Sequence, residues 1–322
     1  MAALNDDMIT MTDVFTKETL IDGRPARLDC FDIDGQTYAL SRGAVSLVRL
    51  EDEWYEDVRD PLLVIDALKH SRLPADIFSF WQRLPHTEPQ FSFHTEWESV
   101  AVLPVTTFDQ WFKTQIKPAT RNMIRKSQKS GLEVREATFD DEFVRGMTDI
   151  FNESPIRQGR RFWHYGKDFA TVKRQFSRFL FREDLLGAYY KDELIGFVIL
   201  GNAGRYGELG QIISKIQHRD KAPNNALIAK AVEICERRQL SHLVYAYWGD
   251  GSLFDFKRHN AFEEARLPRY YVPLTLKGQL AINAGLHRGW KALLPASLKN
   301  RLRALRRHWL RFVMPKDRSR VP

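Results

Sequence analysis

A short segment between residues 156 and 169 concentrates side chains that could bind a substrate. It reads IRQGRRFWHYGKDF, so guanidinium groups stand among aromatic rings and two glycines. Guanidinium groups suit carboxylate or phosphate ligands, and aromatic rings stack on planar groups. Because loops carry function more often than the elements they join, we predict that this loop binds substrate. The alternative is a loop pinned by its own Phe162 and Trp163, with its arginines in water. The predicted substrate-binding residues are Arg157, Arg160, Arg161, His164, Tyr165 and Lys167.

A second group of basic residues stands just before a helix start. The turn at 218–221 reads HRDK, Pro223 follows, and apolar residues then recur at helical spacing from Ala226 to Cys235. The first turn of a helix has unpaired N–H groups and the positive end of the helix dipole. We therefore predict that this turn can hold an anion such as phosphate. The alternative is an ordinary strand–turn–helix with a solvated basic turn.

The elements on either side of this turn would position both groups. Two apolar runs, Gly187–Tyr190 and Leu194–Leu200, flank the polar residues at 191–193, which predicts a β-hairpin. A third strand is predicted over Arg205–Ile216. Glycines at 207 and 210 lie inside it, and a glycine within a strand often marks a bulge or a close backbone approach.

The remaining chain predicts further strands and helices. The pair Asp34-Gly35 between alternating runs predicts another hairpin, and Pro118 predicts a break in a helix over 107–131. The other predicted helices cover 60–69, 75–82, 140–153, 169–181 and 280–294. The other predicted strands cover 45–50, 91–94, 99–104, 132–136, 243–248 and 270–274.

The order hairpin, glycine-bearing strand, basic turn and helix resembles the centre of the GNAT (Gcn5-related N-acyltransferase) fold. In that fold the turn and helix start hold the phosphates of an acyl donor, and the splayed strand exposes backbone groups to the reacting carbonyl. The usual turn, Q/R-x-x-G-x-G/A, is glycine-rich, whereas this chain has RDKAPNN at 219–225. The resemblance implies these donor-binding residues: Ile213, Ser214, His218, Arg219, Lys221, Asn224 and Asn225.

Two other segments resemble Fem-type aminoacyltransferases, which are built from GNAT-like units and add amino acids to peptidoglycan precursors from aminoacyl-tRNA. One is the basic stretch that ends in GLEV at 131–134, whose alternative reading is a solvated basic helix. The other is Phe256-Lys257, which stands where many GNAT enzymes carry a tyrosine. The resemblance implies that Lys257 offsets negative charge during the reaction; the alternative is a lysine on a helix surface. Glu208, in the predicted bulged strand, is a candidate general base.

The amino-acid composition restricts the classes of protein to which this chain could belong. The chain has 322 residues, 43% of them hydrophobic and 12% aromatic, which is typical of a globular protein. The two cysteines are far apart in sequence, which predicts a reducing compartment and no disulfide framework. The N-terminus lacks the pattern of a signal peptide, and no run reaches the length that spans a bilayer. We expect a cytoplasmic protein.

The net charge of +8 belongs mainly to the C-terminal end. Residues 276–322 contain 12 Lys and Arg but one acid, so the rest of the chain is slightly acidic. Leu298, Leu302, Leu305, Trp309 and Phe312 would form one apolar stripe among arginines. Such a helix could lie on an anionic membrane surface, could pack on the body, or could contact tRNA. No DNA partner is predicted.

These observations lead to one main interpretation and one alternative. We predict a mixed α/β fold: a GNAT-like central sheet flanked by helices over 105–275, a smaller N-terminal α/β subdomain over 1–104, and a basic helical tail over 276–322. The predicted function is acyl or aminoacyl transfer from acyl-CoA or aminoacyl-tRNA, as co-substrate, to an amine on a small molecule or cell-envelope precursor. No tightly bound cofactor is predicted, and no grouping has metal-ligand spacing. The alternative is a non-catalytic binding protein that acts through its tail.

Overall fold

The computed structural model describes residues 11–21, 24–157, 159–178, 180–249 and 251–288. The strands are β1 Phe15–Ile21, β2 Arg24–Ile33, β3 Gln36–Ser41, β4 Leu47–Leu50, β5 Ile77–Trp81, β6 His94–Pro104, β7 Glu133–Ala137, β8 Ile156–Arg157, β9 Arg160–Arg161, β10 Glu183–Tyr190, β11 Glu193–Asn202, β12 Tyr206–Ser214, β13 His242–Tyr247 and β14 Glu263–Pro273. The helices are α1 Pro61–His70, α2 Phe108–Gln110, α3 Pro118–Lys129, α4 Asp141–Asn152, α5 Phe169–Phe176, α6 Pro223–Arg237, α7 Ser252–His259 and α8 Leu276–Asn283. A π-helical turn covers Trp111–Gln115, and 3₁₀ turns cover Ile216–Lys221 and Leu286–Arg288.

Within the described part of the chain, twelve strands form one mixed sheet. Their order is β1-β2-β3-β4-β5-β14-β6-β13-β12-β11-β10-β7. The neighbours β12 and β13 are parallel, as are β4 and β5, and the other neighbours are antiparallel. Strand β6 precedes residue 105 but lies between β13 and β14, so the sheet runs across the predicted domain boundary. The division at residues 105 and 276 stays a prediction.

Both predicted hairpins are confirmed. Strands β2 and β3 pair up to Ile33 and Gln36, and the two turn residues, Asp34 and Gly35, both have positive φ. Strands β10 and β11 join through Lys191 and Asp192, which also have positive φ. Positive φ at both central residues is the conformation of a type I′ turn, whose twist matches that of the flanking strands.

The segments 75–82 and 91–94 differ from the sequence prediction. The segment 75–82, predicted as a helix, contains strand β5, and all five residues of that strand are buried. A strand covered on both faces reads as a continuous apolar run, which periodicity cannot tell from a buried helix. The segment 91–94, predicted as a strand, is irregular until β6 begins at His94. Phe91 and Phe93 instead pack their rings against Phe80 and Tyr270.

Two helical layers cover opposite faces of the central strands. Phe197 and Ile199 of β11 pack into the core that α4 and α5 cover. Their neighbours Val198 and Leu200 pack into the core that α6 covers. Successive side chains of a strand point to opposite faces, so β11 is buried on both sides.

The C-terminal region is described only as far as Arg288. The predicted helix over 280–294 differs there, because α8 starts at Leu276 and ends at Asn283. Thr275 caps α8 by accepting a hydrogen bond from the Gly278 N–H at 3.0 Å. The predicted stripe from Leu298 to Phe312 lies outside the described residues. Among the helices that are described, none combines the length and apolar character that crossing a membrane requires.

Candidate functional site

The parallel strands β12 and β13 separate halfway along their length. They pair from Tyr206 to Glu208 on β12 and from His242 to Val244 on β13, and no further. Beyond this point β13 is irregular: its register against β6 shifts after Val244, and Ala246 has a φ of 46°. The separation leaves peptide groups of both strands without a partner across the gap, where a ligand could pair with them.

A β-bulge lies on the other edge of β12, next to this separation. Leu209 pairs with Leu200 and Gln211 pairs with Ile199, so Gly210 is the extra residue between them. The sequence prediction of a bulge or a close approach is therefore confirmed at Gly210, where there is a bulge. It is also confirmed at Gly207, where there is a close approach. At Gly207, a methyl group would lie 3.0 Å from the Cys235 sulfur.

The carboxyl group of Glu208 lies at the point where the strands part. Its side chain is almost fully buried, and Oε1 accepts a hydrogen bond from the Ala246 N–H at 3.4 Å. Burial raises the pKa of Glu208 to about 8, against the opposing effects of Arg83, this hydrogen bond and Lys257. Glu208 is therefore mostly protonated near neutral pH.

Lys257 approaches the same point from α7. Its side chain is 1% exposed, so the alternative of a lysine on a helix surface is wrong. The ammonium donates a hydrogen bond to the Tyr247 carbonyl and lies 4.5 Å from the centroid of the Tyr245 ring. Burial lowers the pKa of Lys257 to about 8, while Glu208 acts in the opposite direction. The structure thus brings together the two residues that were predicted to be catalytic; their role in catalysis stays a prediction.

The turn before α6 has the shape expected of an anion site. The 3₁₀ turn ends at Lys221, Ala222 takes a left-handed conformation, and α6 begins at Pro223. No side chain caps this helix start. Pro223 has no N–H, and the Asn225 N–H already donates to the Ala222 carbonyl at 3.1 Å, so this first turn offers the Asn224 N–H to water or a ligand.

The predicted anion-binding side chains lie around this turn, and some already have partners. Lys221 pairs with Asp220 at 3.2 Å and lies over the Tyr190 ring. His218 packs beside the same ring, and its Nε2 is 3.6 Å from Glu193. Others of the set are less engaged: Arg219 is exposed, and Asn224 and Asn225 are half-buried in the first turn of α6.

Ile213 and Ser214 end β12 beside this turn. Both are buried and pair with Phe197 and Gly196 of β11. The Ser214 carbonyl also accepts a hydrogen bond from Arg157 Nη1 at 2.7 Å. Arg157 therefore joins the predicted substrate loop to the end of the strand that carries the bulge.

The predicted substrate loop contains both buried and exposed residues. Arg157 is held by the Ile150 carbonyl at 2.7 Å and by Glu153 at 3.0 Å, so its charge is already paired. His164 is fully buried and stacks on Phe151 with centroids 4.1 Å apart. Burial, assisted by Lys167, lowers the pKa of His164 to about 3, so the ring is neutral. By contrast, three members of the set are exposed to solvent: Arg160, Arg161 and Tyr165.

Lys167 anchors the second half of this loop. Its ammonium donates to Gln175 Oε1 at 2.7 Å and lies 4.0 Å from the centroid of the Trp163 ring. Its carbonyl accepts a hydrogen bond from the Asn152 amide, which ties the loop to α4. These contacts set the position of the Trp163 ring at the mouth of a cavity.

This cavity has a volume of about 260 Å³ and lies against the bulge. Its lining includes Trp163 and His164 from the loop, together with Gly210 and Gln211 from β12. The predicted substrate loop and the bulged strand therefore share one concave surface, which is the usual form of a ligand site.

Sequence analysis missed two residues of this cavity, Tyr55 and Glu183. The Tyr55 hydroxyl donates a hydrogen bond to Glu183 Oε1 at 2.5 Å, and both side chains line the cavity. Tyr55 belongs to the segment EDEWYED at 51–57, which directly follows β4. The density of acidic and aromatic residues in this segment is a signal in the sequence. Only the fold shows that Tyr55 lies next to β12.

One group of metal-ligating residue types also escaped the sequence analysis, which predicted no metal site. The ligand atoms of His94, Glu96 and His287 lie within 4.8 Å of one another. Arg288 also donates to the Glu96 carboxylate, at 2.6 Å. Because a fixed cation already pairs with this carboxylate, the group is better explained as an ion-pair cluster that fastens the last described turn to β6.

Comparison with known proteins identifies the fold. No protein-family model matches this sequence, and a search of curated proteins finds no match. Among solved structures, FemX superposes with a TM-score of 0.57 at 9% identity, over 83% of this chain and 90% of FemX. The C-terminal domain of a candidate lysylphosphatidylglycerol synthetase from Agrobacterium fabrum gives a TM-score of 0.53 at 11% identity, over 80% of this chain and 88% of that domain.

A third neighbour is L-PGS from Bacillus licheniformis, with a TM-score of 0.50 at 13% identity, over 74% of this chain and 81% of that one. Each likeness covers most of both chains. The separation of β12 and β13, the bulge at Gly210 and the helix start at Pro223 occur in the order that the GNAT resemblance predicts. The chain therefore has a GNAT-like fold of the kind found in FemX.

Proposed function

We propose that this protein is an N-acyltransferase that moves an acyl or aminoacyl group from a phosphate-bearing carrier to an amine. One observation carries the proposal: β12 and β13 separate beside the Gly210 bulge, with Glu208 and Lys257 buried where they part. Such a gap can admit the extended arm of a carrier between two strands whose peptide groups lack partners.

The chemistry needs little covalent participation by the protein. The amine attacks the acyl carbon in its neutral form, and its nitrogen gains a bond to that carbon as the bond from the carbon to the carrier breaks. The nitrogen gives up one proton, and the sulfur or oxygen of the departing carrier takes one up. Backbone N–H groups near Gly210–Ser214 would stabilise the oxyanion that forms on the way. The ammonium of Lys257 would offset the same negative charge. Glu208 can accept a proton only in its ionised form, so it is a base of limited use below pH 8.

The donor's phosphates would bind at the start of α6. The uncapped first turn supplies the Asn224 N–H and the positive end of the helix dipole, and Arg219 supplies an exposed positive charge beside it. Helix α3 packs against the 3₁₀ turn, and Lys126 of that helix is close enough to lower the pKa of Asp220. Acyl-CoA and aminoacyl-tRNA both carry phosphate, so this region supports either donor.

A transfer assay with both donor classes tests the proposal. The protein is incubated with a pool of primary amines and either a series of acyl-CoA thioesters or charged tRNA, and acylated amines are detected by mass spectrometry. We expect enzyme-dependent product from one donor class, and none after the protein is heat-denatured. Failure to consume or bind either donor class would contradict the proposal and favour the non-catalytic alternative.

We also propose that the basic C-terminal end brings the protein to an anionic membrane surface on the cytoplasmic side. The support is the charge of residues 276–322, since the apolar stripe lies outside the described residues. Sedimentation with vesicles of anionic or zwitterionic lipid tests this. The full chain should sediment with anionic vesicles, and a chain ending at Arg288 should not. Equal sedimentation of both chains would contradict the proposal.

A further inference from the structure

The cavity beside the bulge is lined by an acid, Glu183, for which the described part of the chain provides no cationic partner. Glu183 begins β10, lines the cavity and accepts a hydrogen bond from the Tyr55 hydroxyl. Among the described residues, no lysine, arginine or histidine lies within salt-bridge distance of its carboxylate. Burial raises the pKa of Glu183. This carboxylate is partly removed from water and accepts a hydrogen bond from one neutral donor, so no positive charge compensates for its lost hydration.

Neighbouring acids in the same region are paired, which makes Glu183 an exception. Glu51 pairs with Arg178, and Glu56 pairs with Arg182. The next residue along β10, Asp184, pairs with Arg238 on the opposite face of the sheet. Cations are therefore plentiful around Glu183, yet each is committed elsewhere.

Among the described residues that line the cavity, Glu183 is the one with a charged side chain. His164 is neutral, because burial lowers its pKa to about 3. Gln175 and Gln211 are uncharged, and Gln175 already accepts a hydrogen bond from Lys167, the ammonium of which also lies over Trp163. The position of Lys167 shows that the Trp163 ring accommodates a cation on one face.

The cavity also lies close to the reacting region. A methyl group built on Gly210 would lie 3.7 Å from the Tyr55 hydroxyl, the same hydroxyl that donates to Glu183. The carboxylate therefore lies one hydrogen bond away from the surface of the bulge. A ligand held by Glu183 would reach the backbone that the donor's acyl group is proposed to approach.

We propose that this cavity binds the acceptor and selects a small molecule with a protonated amine, held by the Glu183 carboxylate and the Tyr55 oxygen next to Gly210. The identification of this ligand as the acceptor rests on the proposed function, whereas the binding of the amine does not. A cation supplies the charge that Glu183 lacks, and the volume of the cavity limits the ligand to a small molecule.

Isothermal titration calorimetry with matched probes tests the selection. The probes are 1,5-diaminopentane and phenethylamine, each compared with the alcohol of the same skeleton. We expect the amines to bind and the alcohols to bind about tenfold or more weakly, because only the amines offer a charge-assisted hydrogen bond.

Two cavity variants and one matched control locate the binding. Glu183→Gln keeps the shape and the hydrogen bond from Tyr55 but removes the charge, so amine affinity should fall about tenfold or more. Tyr55→Phe should cause a smaller loss. Asp184→Asn removes the same charge one residue away on the other face and should change amine affinity less than about twofold. Circular dichroism checks that each variant is folded.

The outcomes separate this inference from the proposed function. No amine binding by the wild type, or equal binding by Glu183→Gln, would overturn the inference even if acyl transfer is observed. Amine binding that depends on Glu183 would uphold the cation site even if neither donor class supports transfer.

Discussion

Glu208 on β12 and Lys257 on α7 lie together in the interior, where β12 and β13 part. Both side chains are almost fully buried, and each shifts the pKa of the other toward its charged form. Burial opposes this and moves both pKa values to about 8. Near neutral pH the pair therefore consists mostly of a neutral carboxyl group and a charged ammonium, which suits a site where negative charge develops briefly.

Replacing Glu208 with glutamine should change how stability depends on pH. The folded-state pKa of Glu208 is raised from 4.5 to about 8, so between these values the unfolded chain releases a proton that the folded protein retains. Stability contributed by this group therefore falls as pH rises through that window. Chemical denaturation should show that Glu208→Gln gains stability relative to wild type on going from pH 5 to pH 8, by about 3–4 kcal/mol.

An exposed acid on α6 provides the control for this prediction. Glu233→Gln removes a carboxylate that pairs with Lys230 in a partly exposed salt bridge. Its stability difference from wild type should be nearly the same at both pH values. A parallel pH dependence for Glu208→Gln and wild type would show that Glu208 ionises normally in the folded protein.

Gly278 should be required for packing of α8. A methyl group on this residue would lie 1.9 Å from the Asp76 carbonyl oxygen, which is backbone and cannot move aside cheaply. Gly278→Ala should therefore lower the free energy of unfolding by about 1–3 kcal/mol, measured by chemical denaturation. Gln279→Ala, on the exposed side of the same helix, should stay within about 0.5 kcal/mol of wild type. Equal stability of the two variants would contradict the observed docking of α8.

Charge reversal at Arg219 should weaken binding of the donor. Arg219 is exposed beside the uncapped start of α6, so Arg219→Glu places a negative charge near the proposed phosphate position. Affinity for CoA or tRNA, whichever the protein binds, should fall about threefold to tenfold at low salt and less at high salt. Lys191→Glu makes the same charge change at the exposed β10–β11 turn and should have little effect. A larger loss from the Lys191 variant would place the phosphates elsewhere.

The sequence predicts those features of the fold that depend on local chemistry. Asp34-Gly35 indicates its hairpin, Gly210 indicates its bulge, and Pro223 indicates where α6 begins. Each residue restricts the backbone in a way that neighbours in sequence are enough to reveal. The order of these features was sufficient to suggest the GNAT-like fold.

Features that depend on distant neighbours were missed or mistaken. The segment of strand β5 predicts a helix, because both faces of the strand are buried and the alternation that marks a strand is lost. Phe78 and Phe80 pack into one core, and Ile77 and Trp81 pack into others. The meeting of Tyr55 with Glu183 could not be found, since no local pattern links the loop after β4 to the start of β10. Lys257 resembles a surface lysine as much as a buried one, because its helix is short and mixes apolar and charged residues.

The most direct test of the account is the turnover of Lys257→Met compared with Arg258→Gln, measured with the donor and amine that support transfer. Methionine keeps the length of the side chain but removes the buried charge, whereas Arg258 is half-exposed on the same helix. The account predicts that kcat falls about a hundredfold for Lys257→Met with little change in the KM for the donor, and that Arg258→Gln behaves as wild type. Wild-type kcat in a folded Lys257→Met protein would contradict it.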